Sequence, residues 1–169
     1  MKCIDIPCEK ASDASFTPYG QYIADTLRDP NASGEELCFW NRLAVMDHEG
    51  HTSISIVQTY GRNGLEEHTL ERHEKTSEVL IPTGDIVVVA ALSRADDPKK
   101  PDFDTVKAFS VPKGSAIRFK KGVWHHAPLT EAKQVNTFVL FYENTPDEDF
   151  FAYDLDEDFG LWFRVKPTR

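Results

Sequence analysis

Four of the six histidines fall in two short stretches, each stocked with side chains suited to proton transfer and metal binding. The first runs Glu66-Glu67-His68-Thr69-Leu70-Glu71-Arg72-His73-Glu74-Lys75-Thr76-Ser77-Glu78 and on to Pro82-Thr83-Gly84. The second is Lys120-Lys121-Gly122-Val123-Trp124-His125-His126-Ala127-Pro128. Both adjoin β-prone runs. Side chains alternate faces along a strand, so Glu71 and His73 share one face while Arg72 takes the other. His125 and His126 likewise point to opposite sides, and only one of them looks inward. A histidine, a carboxylate and a second histidine brought together from different strands make a ligand set for a first-row divalent metal. Neutral imidazole and carboxylate suit nickel, manganese, iron or zinc, and spacing does not choose among them. His48 and His51, either side of Glu49-Gly50 in a turn, read as exposed rather than functional.

The elements that position these residues are short strands. Residues 37–40, 43–46, 53–57, 79–81, 86–92, 106–111, 116–119 and 135–142 are β-prone. Turn signals bound them at 47–50, 61–64, 82–85, 95–98 and 112–114. Strands at intervals near ten residues predict an antiparallel sandwich or barrel. The run Ile86 to Leu92 is apolar without alternation, and its β-branched residues favour a strand buried on both faces over a helix. Residues 1–35 read as an N-terminal arm, with a short helix beginning in 11–15 and a turn over Phe16-Thr17-Pro18-Tyr19-Gly20. No repeat, low-complexity tract or Gly/Ser linker marks a boundary, so residues 1–169 are expected to form a single domain.

Composition narrows the function classes. The chain has 169 residues, 40% of them hydrophobic, which suffices for a core without disulfides. No apolar run approaches the ~20 residues of a spanning helix, so no membrane association is expected. The N-terminus has no apolar core or cleavage signal, and the three cysteines, Cys3, Cys8 and Cys38, form no framework. A cytoplasmic protein is the expectation. A formal net charge of −9, from 28 acids and 19 bases, disfavours nucleic acid. Part of the excess lies in Asp147-Glu148-Asp149 and in Asp154 to Asp158, which read as a solvated acidic edge.

The two histidine stretches resemble the motifs of the cupin superfamily. The first motif there is usually His-x-His, then Glu after three or four residues, then Gly; here it is Glu71-x-His73, four residues, Glu78, and Gly84. The second, usually Pro-x-Gly-x-x-His-x-x-x-Asn, is Lys120-x-Gly122-x-x-His125 with Leu129 in the Asn position. Glu71 thus stands in place of the first histidine, and His73, Glu78 and His125 remain. Within that superfamily the chain resembles the ureidoglycolate lyases over about residues 12 to 142. The likeness is carried by Phe16-x-x-Tyr19-Gly20-x-x-Ile23, His68-x-Leu70-Glu71-Arg72-His73, Leu80-Ile81-Pro82-Thr83-Gly84 and Gly122-Val123-Trp124-His125-His126-x-Pro128. Members of that family tend to carry Gln where this chain has Glu78.

The resemblance implies an all-β, cupin-type antiparallel jelly-roll barrel, a homodimer, and a carbon–nitrogen lyase that splits ureidoglycolate into glyoxylate and urea in allantoin and purine breakdown. Aromatics in exposed-looking strands, Phe39-Trp40 and Phe138, accord with a dimer. Such a reaction needs a base for the carbinol proton and an acid for the departing urea nitrogen, with electrostatic support for a small carboxylated substrate. His125 or Glu78 is the candidate base, with His73 beside them. His73, Glu78 and His125 are the candidate ligands of one divalent metal. Arg72 is a carboxylate fork by chemistry and a structural ion pair by alternation. Lys121 and His126 are further candidates for substrate contact, Lys120 and Lys121 otherwise being solvated rim charges. Two other readings remain: a non-catalytic cupin that binds a small carboxylated metabolite, and a cupin enzyme acting on another hydroxy or keto acid.

Overall fold

A computed structural model describes residues 1–61 and 64–167. In chain order the strands are β1 (Lys2–Lys10), β2 (Gly20–Ile23), β3 (Ala32–Ser33), β4 (Cys38–Phe39), β5 (Thr52–Tyr60), β6 (Leu65–Glu67), β7 (Thr69–Arg72) and β8 (Glu78–Pro82). They continue as β9 (Ile86–Ala91), β10 (Lys107–Val111), β11 (Ala116–Phe119), β12 (Trp124–His125), β13 (Gln134–Tyr142), β14 (Phe151–Asp154) and β15 (Leu161–Lys166). Short helices α1 (Asp13–Phe16), α2 (Thr145–Glu148) and α3 (Leu155–Phe159) punctuate them. Two curled sheets face each other in a jelly-roll arrangement. One has the order β14-β7-β12-β9-β10-β1-β15-β6 and the other β2-β11-β8-β13-β5. Among the described residues no helix is long and apolar enough to cross a membrane.

The strand β9 runs through the middle of the larger sheet and is buried on both faces, as its apolar run requires. Ile86, Val88 and Ala90 enter the core between the sheets with Phe16, Phe109, Ile117 and Phe119. Val89 and Ala91 face the other way, into a second core with Leu70, Trp124, Leu155 and Phe163. That outer core is roofed by the C-terminal segment. The acidic region is therefore more than a solvated edge: Leu155 and Asp149 are both buried, at 0% and 1% exposure.

The first residues differ from a loose arm. β1 pairs in parallel with β15 over residues 2–7 and with β10 over residues 8–10, so it is an interior strand of the larger sheet. Its buried Ile6 and Cys8 alternate with charged neighbours, and Pro7, which has no N–H to give a ladder, sits where β1 passes from one partner to the other. These two pairings add parallel character to an otherwise antiparallel sheet. The helix expected in 11–15 is α1, closed by a reciprocal Ser12–Ser15 capping box. Phe16 at its end packs edge-on to Phe109, ring centroids 5.0 Å apart. Gly20 starts β2 against β11 so closely that a Cβ there would lie 1.8 Å from the Arg118 carbonyl oxygen; only glycine fits.

The run 43–46 forms no strand. The left-handed backbone of Arg42 (φ 53°) turns the chain just before it, and the segment is instead held by Arg118 Nη1–H donating to the Val45 carbonyl at 2.7 Å. Of the turn expected at 61–64, Arg62 and Asn63 lie outside the described residues.

Candidate active site

The site forms where the two sheets meet. Strand β7 brings Glu71 on its inner face, and β12 pairs with it so that His125 lies opposite Glu71. His73 follows β7 directly, and residues 73–77 carry the chain across to the smaller sheet, where Glu78 opens β8. The spacing from His73 to Glu78 is thus the length of a crossing between sheets. It delivers an imidazole from one wall and a carboxylate from the other.

His73, Glu78 and His125 are nearly out of water. His73 Nε2 lies 3.2 Å from Glu78 Oε2, and His125 Nε2 lies 3.4 Å from Glu78 Oε1. The imidazole rings are edge-to-face at 5.3 Å. Each histidine commits its other nitrogen to a backbone carbonyl: His73 Nδ1 to Asp149 at 2.7 Å and His125 Nδ1 to Val123 at 2.9 Å. A carbonyl only accepts, so both Nδ1 atoms carry hydrogen, and in the neutral rings both Nε2 lone pairs face the pocket. His125 is further fixed by stacking on Phe119, ring centroids 4.3 Å apart.

Burial pushes the Glu78 carboxyl up, but positive charge at His125, with the hydrogen bond and charge of His73, outweighs it and holds Glu78 at about 2. Burial likewise pushes His73 down, and the Glu78 hydrogen bond and charge more than reverse that, so its pKa is raised. That lowering rests on positive charge at the rings; were both rings neutral, Glu78 would face two acceptor nitrogens, and a cation between them would take the place of the ring protons. His125 Nε2 is the plainer case: despite its closeness to Glu78 it is buried without a hydrogen bond.

Glu71 completes the cluster. Its carboxylate and ring nitrogens of His73 and His125 lie within 4.8 Å of one another, a grouping able to hold a metal ion. An orphaned imidazole nitrogen, a second imidazole of the same tautomer and carboxylates from both walls suit a divalent cation. The position where cupin motifs carry their first histidine is thus filled by a possible ligand of another type.

Glu71, His73 and Glu78 line a cavity of about 240 Å³ whose walls are otherwise largely apolar, among them Leu80, Val139, Phe141 and Phe150. No lysine or arginine lines it among the described residues. Arg72, on the opposite face of β7, is 4% exposed; it donates to the Pro98 carbonyl at 2.6 Å and lies over the Trp124 ring at 5.1 Å. His126 turns away from His125 and meets the buried Glu67 carboxylate at 3.0 Å beside a separate cavity. Lys121 pairs with Asp47 at 3.0 Å on another surface, and Lys120 Nζ donates to the Thr17 carbonyl at 2.6 Å. The structure brings together His73, Glu78 and His125, and places Arg72, Lys121 and His126 elsewhere.

A buried aspartate ties the site to the C-terminal segment. Asp149 accepts from the backbone N–H of Glu74 at 2.8 Å and of Lys75 at 2.7 Å, while its own carbonyl fixes His73. Sequence reading had no signal for this clamp, because its partners lie about 75 residues apart.

The family model for ureidoglycolate lyase matches residues 3–161. The chain belongs to the ureidoglycolate lyase family. It is 31% identical over 135 residues to the ureidoglycolate lyases of Escherichia coli O1:K1 and of Shigella boydii serotype 18. Each alignment covers 76% of this chain and 81% of the relative. Among solved structures, one of Bacillus subtilis oxalate decarboxylase, from a study of its Mn(II) centres, aligns at a TM-score of 0.41 and 13% identity. That alignment covers 63% of this chain and 24% of the other. Ureidoglycolate lyase membership makes the chain an enzyme, and the match runs past the C-terminal clamp that holds His73 in place.

Proposed function

We propose that this protein cleaves ureidoglycolate to glyoxylate and urea, in purine and allantoin breakdown, as a single cupin-like domain acting in the cytoplasm. The observation that carries the reading is the convergence of two Nε2 lone pairs and two carboxylates at one end of a small apolar cavity, in a chain of this family. Among the described residues the cavity has no lysine or arginine to meet a carboxylated substrate, and it already holds Glu71 and Glu78. Anion binding there calls for a cation.

His73, His125 and Glu71, with Glu78 in contact with both rings, would hold one divalent metal. When bound, that metal supplies positive charge for the substrate carboxylate and lowers the pKa of the carbinol hydroxyl. Glu78 then accepts the hydroxyl proton as the C=O bond forms and the C–N bond breaks. The electron pair goes to the urea nitrogen, which takes up the proton. Hydroxyl and nitrogen are bonded to the same carbon, so one carboxyl group serves as base and then as acid. The apolar walls exclude water that would otherwise compete for the proton.

Metal analysis tests this arrangement. Wild type loaded and desalted should keep one equivalent per chain, while His125→Ala should keep well under half and lose turnover in step. A chelated, metal-free wild type that retains full activity would overturn the metal assignment. The imidazoles would then be the direct acid and base.

A homodimer is supported by the outer face of the smaller sheet. Ile56, Phe138 and Ile81 line up across β5, β13 and β8 and are exposed at 58%, 38% and 41%. β5 is also an edge strand of nine residues, without a partner on its other side among the described residues. A second copy would cover both features.

A further inference from the structure

We infer that Thr145 binds substrate in this cavity and that its hydroxyl recognises the ureido group, an inference that rests on the lyase reading above. Thr145 opens α2, is 0% exposed and lines the cavity beside His73 and Glu78. Its Oγ1 has no hydrogen-bond partner. Eight buried side-chain atoms among the described residues lack a partner, and Thr145 Oγ1 is the one that belongs to a residue lining this cavity. A buried hydroxyl left unpaired costs folding free energy, and valine would fill the same branched volume without that cost. The hydroxyl neither caps α2 nor bonds back to a backbone carbonyl, so local structure does not use it.

The ureido end is the chemical match. A hydroxyl both donates and accepts, so it pairs with the carbonyl oxygen or an N–H of a urea, whereas a carboxylate would use only its donor. The wall beside Thr145 consists of Pro146, Phe150 and Phe141, against which a flat neutral group lies well. The carboxylate and carbinol are left to the His73, His125 and Glu71 end. Asp149, four residues on, bonds the Glu74 and Lys75 amides through its side chain and His73 through its carbonyl. The hydroxyl and the catalytic imidazole are therefore held in one rigid unit, which fixes the distance between the two ends of the substrate.

Thr145→Val and Thr145→Ser decide the matter, each compared with wild type in metal-loaded protein. Thr145→Val should hold or raise Tm, and should raise KM for ureidoglycolate about tenfold, the worth of one neutral hydrogen bond, with a smaller change in kcat. Thr145→Ser, which keeps the hydroxyl, should return KM toward wild type. Among the products, the inhibition constant for urea should rise in Thr145→Val while that for glyoxylate stays put. Unchanged KM and urea affinity in Thr145→Val would overturn the proposal. So would a lowered Tm with urea and glyoxylate weakened together, the mark of a structural role. Weakening of glyoxylate alone would contradict the ureido assignment. If wild type does not turn over ureidoglycolate, the lyase reading fails separately. An NMR titration of the same proteins with urea still tests Thr145: saturable shifts of the Thr145 and Phe150 amides support the site, and their absence from wild type or persistence in Thr145→Val refutes it.

Discussion

Two imidazoles that have already given their Nδ1 hydrogens to carbonyls can offer the cavity only Nε2, and Glu78 reaches both of those atoms. This geometry gives Glu78 a role that its neutral isostere cannot take. Glu78→Gln keeps the shape and removes the charge, so ureidoglycolate turnover should fall roughly a hundredfold or more, the usual scale for a positioned acid or base. A loss within about tenfold, near 1.4 kcal/mol in the barrier, would mean that the Glu78 charge is incidental to turnover. Wild type without turnover and Glu78→Gln with it would point to a different native substrate. Tm should be followed alongside, since a misfolded variant imitates catalytic loss. At this scale the sequence was informative: strand alternation put Glu71 and His73 on one face and separated His125 from His126. Glu71 read in the sequence as a lost histidine rather than a ligand, and only its place beside the two rings offers it as one, just as Arg72 needed the neighbouring Trp124 and Pro98 to show which way it turns.

Elements hold these residues through contacts that no local pattern announces. The Asp149 side chain closes the 73–77 crossing, and Asp149→Ala leaves two backbone N–H groups without their acceptor. That should cost about 1–3 kcal/mol in all, seen as a Tm lower by several degrees, with Asp149→Asn between the two. Lost stability without lost turnover would show that His73 needs no such support. A second tie joins the β6–β7 junction to α3, where His68 Nδ1 meets Asp156 Oδ2 at 2.5 Å. Partial burial pushes His68 down, but the hydrogen bond and charge of Asp156, with Glu66, raise its pKa above 6.5. A raised histidine pKa stabilises the fold fully below the unfolded value near 6.5 and loses that contribution as pH rises through the folded value. Asp156→Asn should therefore lower Tm at pH 5.5 more than at pH 9; an equal loss at both would contradict the linkage. β1 was hidden from sequence reading because Asp5, Pro7 and Glu9 dilute its inward-facing residues, and only the distant strands β10 and β15 make it a strand.

For the molecule as a whole, the order of short strands and turns made the all-β jelly-roll legible, and the doubly buried β9 was read from composition alone. The roof over the outer core was not, since acidic residues surround the few that are buried there, Leu155 and Asp149 among them. Assembly belongs to this scale as well. Sedimentation of the wild type should give twice the 19.2 kDa chain mass, and Phe138→Lys, which sets a charge in the middle of the exposed row, should give the monomer. A wild type that stays monomeric at micromolar concentration would leave that face without a partner copy. Product stoichiometry reads out the reaction itself. Metal-reconstituted protein incubated with racemic ureidoglycolate should release glyoxylate and urea in equal amounts and no ammonia. Ammonia and carbon dioxide in place of urea would make it a hydrolase, and tight ligand binding with no turnover would make it a metabolite-binding cupin; either result contradicts the lyase.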